Sequence, residues 1–308
     1  MNCDYRHIRR EWADQQERQK AVSYQGDLFE TIQARSILDQ LLQESRLFHS
    51  SKDFKDLLDF VVRLRNFAPF NAMLLQIQKP GLRFAASRSD WMLRFDRTVK
   101  EYARPLLIMW PFGPVALVYD LVDTEGSDLP EHVYSFPAKG VMTQDDIAGF
   151  VRQLAKVGLN ITFIDAGDRK AGAISRTKTS QLPNESSNYT IEINQNHSPN
   201  VQFASLAHEL GHLFLSHLGA DKKLKIPDRT GIEHAQQEIE AESVAYLVCS
   251  RHGVESRSHA YLASFVEMNT TIDHVDLYQV MRAAGGVEER LGLNHHSHAP
   301  IKSNHLKN

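Results

Sequence analysis

The chain has 308 residues, a formal net charge of −3, an isoelectric point near 6.6 and 42% apolar residues. This balance excludes a generally polyanion-binding surface, and the length predicts two domains or one domain with large additions, because a single core is near its size limit here. Two cysteines, Cys3 and Cys249, offer no disulfide framework; with no apolar leader after Met1 and no apolar run approaching a membrane span, a soluble chain in the reducing cytoplasm is expected, with no membrane partner,.

Residues 1–27 are polar with few apolar anchors and read as a flexible lead-in,. Apolar residues then recur every three or four positions over 31–48 and 53–67, predicting two amphipathic helices. Asn71 is expected to cap a short helix over 72–78, which ends before the turn signal Pro80-Gly81,. The apolar runs 105–110 and 114–122, separated by Pro111-Phe-Gly113, predict a hairpin. The first unit, a small α+β domain over 28–137, closes there.

Thr143 is positioned to cap a helix over 143–157, with Asp145 and Asp146 near its positive end,. Strands are expected over 161–164, 171–175 and 189–194, with a polar loop at 180–188. A helix from Val201 to His217 carries Phe203, Leu206, Leu210, Leu213 and Phe214 at helical intervals, and a second covers residues 236–248,. Residues 260–266 and 275–284 continue as helices, with Gly285-Gly286 breaking the pattern. The tail 294–308 holds several histidines but no apolar partners, so disorder is expected,. The fold class is α+β, the second domain spanning 138–293.

The chemistry lies in His208-Glu209-Leu210-Gly211-His212. On a helix, this spacing puts two imidazoles one turn apart on one face, with a carboxylate beside the remaining coordination position. His208 and His212 are therefore candidate ligands for one zinc ion per chain, and Glu209 a candidate general base acting on water at that ion. A third ligand is needed, and Glu238, Glu240 and Glu242 compete for the role. Glu238 and Glu242 share a face with Ala241 and Ala245, whose small side chains permit close packing on the motif helix; Glu240 points elsewhere. Glu238 is assigned as the ligand and Glu242 as the carboxylate that orients a ligating histidine through its other ring nitrogen, the reverse assignment staying open. His217, five residues past His212, falls about 500° around the helix from it and is expected in packing or at the surface.

Strand 189–194 is expected as a sheet edge beside the metal, where Tyr189, Ile191 and Ile193 are candidate contacts for an extended peptide; an interior strand fits the same pattern. Tyr189, Tyr246, His252 and His259 are the candidate donors to a developing oxyanion. Residues 79–104 carry seven basic against three acidic residues, with Phe84, Trp91, Phe95 and Tyr102 interleaved. Basic groups with aromatic faces suit single-stranded nucleic acid, so Trp91, Arg94, Lys100 and Arg104 are candidate contacts.

Through Tyr189-Thr-Ile-Glu-Ile-Asn194, Ala207-His-Glu-Leu-Gly-His212 and Glu238-Ile-Glu-Ala-Glu-Ser-Val-Ala245, residues 140–255 resemble the ImmA/IrrE-type zinc metallopeptidases. The resemblance implies a zincin-like domain in which His208, His212 and Glu238 hold zinc, and a protein substrate such as a transcriptional repressor. The chain departs from that pattern with Glu242 where an asparagine is common. More loosely, Pro69-Phe-Asn-Ala-Met-Leu-Leu75, Trp91, the run from Val99 to Leu107 and the run from Val118 to Gly126 resemble the amino-terminal part of ArdC-type antirestriction proteins. That likeness implies a single-stranded-DNA-binding domain before the zincin-like one, although the glycine-rich basic turn expected near 100–104 is missing. Two functions follow: a zinc endopeptidase cleaving a protein partner, or an antirestriction protein whose zincin-like domain is structural or weakly active. A metal-dependent hydrolase of a non-peptide substrate shares the same site chemistry.

Overall fold

Ser50 opens the first described helix, its hydroxyl accepting the Asp53 N–H, and α1 runs over Ser51–Arg63 with Phe54, Leu57, Leu58 and Val61 buried,. The computed structural model describes residues 50–109, 115–129, 140–167, 170–177, 188–224, 226–229, 231–267 and 274–293. The expected lead-in 1–27, helix 31–48, Cys3 and the tail 294–308 lie outside these, as does most of the loop 180–188. Helix α1 ends before the expected residue 67. The next residues are spent as anchors: Arg65 Nη2 donates to Ser250 O at 3.0 Å and Asn66 Nδ2 to Ala85 O at 3.2 Å.

Helix α2, Pro69–Gln78, starts three residues earlier than expected because Pro69 supplies a preset φ in the first turn and has no N–H to satisfy,. Asn71 is therefore not its cap. The Asn71 amide instead pairs with the backbone of Met109, accepting its N–H at 2.9 Å and donating to its carbonyl at 3.0 Å. Gln78, on the same helical face, does the same to Leu107 at 2.7 and 2.8 Å. Two side-chain amides thus occupy the edge of strand β3, Leu106–Met109, which would otherwise present unpaired backbone groups,.

Strand β1, Ala85–Ala86, and β3 flank β4, Val115–Asp120, in a three-stranded antiparallel sheet. Leu106 lies opposite Val118, as the expected hairpin requires. Helix α3, Arg88–Phe95, is an element the sequence reading missed; the Ser87 hydroxyl caps it by accepting the Asp90 N–H. β2, Arg97–Val99, pairs with β5, Thr124–Gly126.

Helix α4, Gln144–Ala155, carries a capping box between Thr143 and Asp146, matching the expected start,. Strands β6, Leu159–Ile164, β7, Gly172–Thr177, and β8, Asn188–Asn194, form a sheet in the order β6-β8-β7. β6 runs parallel and β7 antiparallel to β8, with Ile161 and Ile174 both opposite Ile191. Four helices follow: α5, Pro199–Phe214; α6, His234–Arg251; α7, Arg257–Glu267; and α8, Leu277–Arg290.

The glycine pair 285–286 does not end α8. A Cβ on Gly285 would lie 3.8 Å from Pro69 Cδ, and one on Gly286 would lie 3.5 Å from the Phe214 ring, so the pair sits where α8 packs on the start of α2 and the end of α5. Tertiary packing here outweighs the roughly 1 kcal/mol helix penalty of each glycine. The largest apolar cluster draws residues from both sides of position 137, from Phe54 on α1 to Leu291 after α8. Arg251, 6% exposed, stitches it together: its guanidinium meets Glu288 Oε1 at 2.6 Å and donates to Val61 O and Phe67 O at 2.8 and 2.9 Å. Cys249 is fully buried, and burial pushes its thiol up to about 12, which makes it a packing residue,. Among the described residues no helix is long and apolar enough to cross a membrane.

Candidate metal centre

Helices α5 and α6 approach closely because Gly211 lies between them. A Cβ at this position would stand 3.3 Å from Val244 Cβ and 3.4 Å from the Ala241 carbonyl oxygen. Gly211→Val should therefore cost about 1–3 kcal/mol through overpacking, read as a lower denaturant midpoint; an unchanged midpoint would mean that the helices separate freely.

This contact brings three donors together. His208 Nε2 and His212 Nε2 are 3.0 Å apart, Glu238 Oε2 is 3.7 Å from His208 Nε2, and Glu238 Oε1 is 3.5 Å from His212 Nε2. In a tetrahedral site with bonds of about 2.0–2.1 Å, neighbouring donor atoms stand roughly 3.3 Å apart. The three separations bracket that distance, and two imidazoles with one carboxylate form a donor set that suits a divalent metal,. Burial, then the charges of His208, His217 and His234, push His212 down to about 3, which keeps it in the neutral form a ligand requires,.

Glu209 is 9% exposed beside this group. Burial first, then the charge of Glu238, pushes its carboxyl up to about 7, against the opposing effects of an N–H donated by Ile174 and the charge of Lys170. That N–H belongs to β7, an outer strand of its sheet among the described residues, so the carboxylate and a strand edge lie side by side. Glu242 Oε1 is 3.5 Å from His208 Nδ1.

Several expectations need correction. Strand 189–194 is not an edge: β8 is the central strand, and Tyr189, Ile191 and Ile193 are at most 2% exposed in the core beneath the helices. They cannot meet a substrate; of the two outer strands, β6 and β7, it is β7 that lies beside Glu209. Nor is Tyr189 an oxyanion donor, since its hydroxyl donates to Asp221 at 2.9 Å. The Tyr246 hydroxyl is engaged by Asp59 and Lys55, and His252 faces Glu288. The side chain of His259 lies outside the described set. One phenol passed over in the sequence, Tyr261 on α7, is within electrostatic reach of the centre: burial, then the charges of Glu242 and Glu238, push it up.

Trp91 cannot stack on a base. It is fully buried at the centre of a small aromatic core with Phe84 and Phe95, and its indole N–H donates to Tyr119 O at 2.9 Å. Arg94 lies 3.6 Å from Asp90 on the same helix, and Lys100 Nζ donates to Val122 O at 2.9 Å. Lys79 is held by Asp120 and Asp123, and Arg97 by Thr124, Gly126 and Ser127. Arg88 lies over the Tyr119 ring, so much of the positive excess of residues 79–104 serves internal contacts, while Arg83, Arg104 and Tyr102 are exposed.

His217 stays outside the donor group and is buried, as the packing reading has it, but not for the reason given by the helical count. The helical count fails because α5 ends at Phe214: Ser216 adopts φ 71°, its N–H bonds to Leu213 O, and the His217 N–H bonds to His212 O. This left-handed C-terminal turn returns the chain on itself. His217 Nδ1 lands 2.8 Å from His212 Nδ1, with its side chain 2% exposed. Serine is disfavoured at such a φ, and Ser216→Gly should raise stability by about 1 kcal/mol, measured as an upward shift in the unfolding midpoint; a drop would show that the buried hydroxyl matters more than the backbone.

Glu240 is buried too. Desolvation would raise its carboxyl, but bonds from His217 and Arg229 outweigh this and hold it down to about 2. Arg229 Nη1 and Nη2 each donate at 2.9 Å, one to each carboxylate oxygen.

Comparison with known proteins finds likenesses in the same part of the chain. Residues 155–250 match the Peptidase_M78 family model, the IrrE N-terminal-like domain. The matched span includes β6 through nearly all of α6, and hence every donor of the centre. Two solved structures of the antirestriction protein ArdC from plasmid R388 are similar over 72% of this chain and 82% of theirs. The metal-free one is 17% identical with a TM-score of 0.33, and the Mn(II)-bound one 19% identical with a TM-score of 0.37. No curated protein matches.

Proposed function

We propose that the chain is a zinc-dependent endopeptidase that hydrolyses a peptide bond in a protein partner. His208, His212 and Glu238 would hold the ion, Glu242 would orient His208, and Glu209 would act as general base. The observation that supports this most is the junction of a three-donor group, a buried carboxylate and a strand edge within a few ångströms. The ion, when bound, supplies Lewis-acid polarisation of water and of the scissile carbonyl.

The chain's own residues supply the remaining functions. Glu209 takes a proton from the attacking water and passes it to the leaving amine, its orientation fixed by the Ile174 N–H,. An extended substrate laid along β7 gains main-chain hydrogen bonds without needing one particular side-chain sequence, which suits a segment of a protein such as a transcriptional repressor. Tyr261, whose hydroxyl feels the charges of Glu242 and Glu238, would be the donor that stabilises negative charge on the substrate,.

The test compares zinc-loaded wild type with Glu209→Gln on denatured proteins of the host cell, scoring new amino termini by mass spectrometry. Cuts made by the wild type and absent with the variant are expected. A wild type that holds one equivalent of zinc and makes no cut would overturn the peptidase reading.

A further inference from the structure

Each histidine of the centre points one ring nitrogen at the donor group and the other away from it. His208 turns its Nδ1 toward a carboxylate, Glu242. Among the described residues His212 meets no carboxylate at its Nδ1; what it meets there is a second imidazole, that of His217, at 2.8 Å. The opposite nitrogen of His217, Nε2, lies 3.3 Å from Glu240 Oε2. A line of contacts therefore runs from the donor group through two imidazoles to a buried carboxylate.

Proton positions along this line follow from the chemistry of its ends. Glu240 is surrounded by donors: both Arg229 nitrogens at 2.9 Å, the Gln236 amide at 3.1 Å and the Asp276 N–H at 3.1 Å. An ionised carboxylate so held only accepts, so the His217 nitrogen facing it must carry the proton. A neutral His217 with its proton on Nε2 has a lone pair on Nδ1, which accepts the Nδ1–H of His212. The lone pair of His212 is then on Nε2, the atom 3.0 Å from His208 Nε2 and 3.5 Å from Glu238. The opposite arrangement would place a lone pair against the Glu240 carboxylate and a proton where the metal must bind. One arrangement satisfies every atom of the line.

We propose that His217 is a positioning residue that fixes His212 in the metal-ligating tautomer, and that Glu240, fastened by Arg229, fixes His217 in turn. A ligating imidazole generally donates its other N–H to a fixed acceptor, and loss of such an acceptor typically weakens metal binding by roughly 10–100-fold. Here the acceptor is an imidazole delivered by the left-handed turn at Ser216. The anchor also reaches α8, because Asp276, which donates its N–H to Glu240, caps that helix by accepting the Gln279 N–H.

The inference rests on the reading of His208, His212 and Glu238 as a zinc site, and the experiment separates the two. Zinc affinity is measured by competition with a chromogenic chelator for wild type, His212→Ala, His217→Phe and His217→Gln. Phenylalanine keeps the ring and removes both nitrogens; glutamine restores one acceptor and one donor. The expected result is roughly 10–100-fold weaker binding for His217→Phe and recovery of most of that loss in His217→Gln. Wild-type affinity in a folded His217→Phe would overturn the role of His217 while leaving the metal site intact. Wild type binding no better than His212→Ala would overturn the site itself. Should His217→Phe not fold, nitrogen-15 imidazole spectra of zinc-loaded wild type decide: a proton on Nδ1 of His212 and on Nε2 of His217 supports the line, and a proton on Nδ1 of His217 overturns it.

Discussion

Glu209→Gln should reduce hydrolysis by roughly 10²–10⁴-fold, the usual contribution of a positioned general base, with zinc stoichiometry unchanged. Glutamine has the shape of glutamate and its carbonyl oxygen can still accept the Ile174 N–H, but it cannot take a proton from water,. The metal-free variant should melt no lower than wild type. The native carboxylate is buried and repelled by Glu238, so a neutral amide removes an unfavourable term from the folded state. This pattern of lost turnover, retained metal and retained stability distinguishes a chemical role from a structural one. A variant keeping more than a tenth of the activity would assign the proton transfer elsewhere; one that lost zinc would make Glu209 part of the binding site.

The second large effect is expected from Arg251→Leu, which should cost about 3–5 kcal/mol by leaving a buried charge without its partner. Glu288 is 3% exposed and its nearest cation is Arg251, while Val61 O and Phe67 O would each lose a donor. Chemical denaturation of metal-free protein measures this, and the double variant Arg251→Leu, Glu288→Leu should recover a large part of the loss because no unpaired charge remains. A single-variant cost below about 1 kcal/mol would mean that water reaches the carboxylate.

Acid should act on the same pair. Burial alone would raise Glu288, but the charge of Arg251 and the bonds from Arg251 and His252 prevail and hold it below the ordinary carboxylate range. A carboxyl depressed in the folded state contributes stability that is fully present above its unfolded value, near 4.3, and lost as pH falls through the folded value. Unfolding free energy should therefore fall on acidification below about pH 4, and the slope should be shallower in the double variant.

Much of the centre was legible because its spacing is local. The interval from His208 to His212 and the interval from Glu238 to Glu242 are each one helical turn, and Thr143 with Asp146 announces a helix start through chemistry within four residues. What was illegible depends on partners distant in the chain. The alternation of Tyr189, Ile191 and Ile193 shows that one face of a strand is buried, but whether a strand is central or outer depends on its neighbours, and β6 and β7 enclose β8. Trp91 illustrates the same limit, since a basic and aromatic composition does not say which way the ring points. The contact of His217 with His212 was missed because a helical count was carried past Phe214, where Ser216 turns the chain back toward His212; Gly219, three residues later with φ 90°, was the available sign that the helix had ended.

The clamp at Arg251 bears on how such a protein can be taken apart. Helix α6 brings Glu238 and Glu242 to the centre from its first turns and ends in a guanidinium that grips backbone carbonyls of residues 61 and 67. A fragment beginning near residue 140 would retain every donor of the centre, yet would present Arg251 and the apolar faces of α6 and α8 to water. Grafting the portion that carries the metal centre onto another protein, or producing it alone for screening, therefore calls for carrying α1 and α2 along as a fixed part of the cargo.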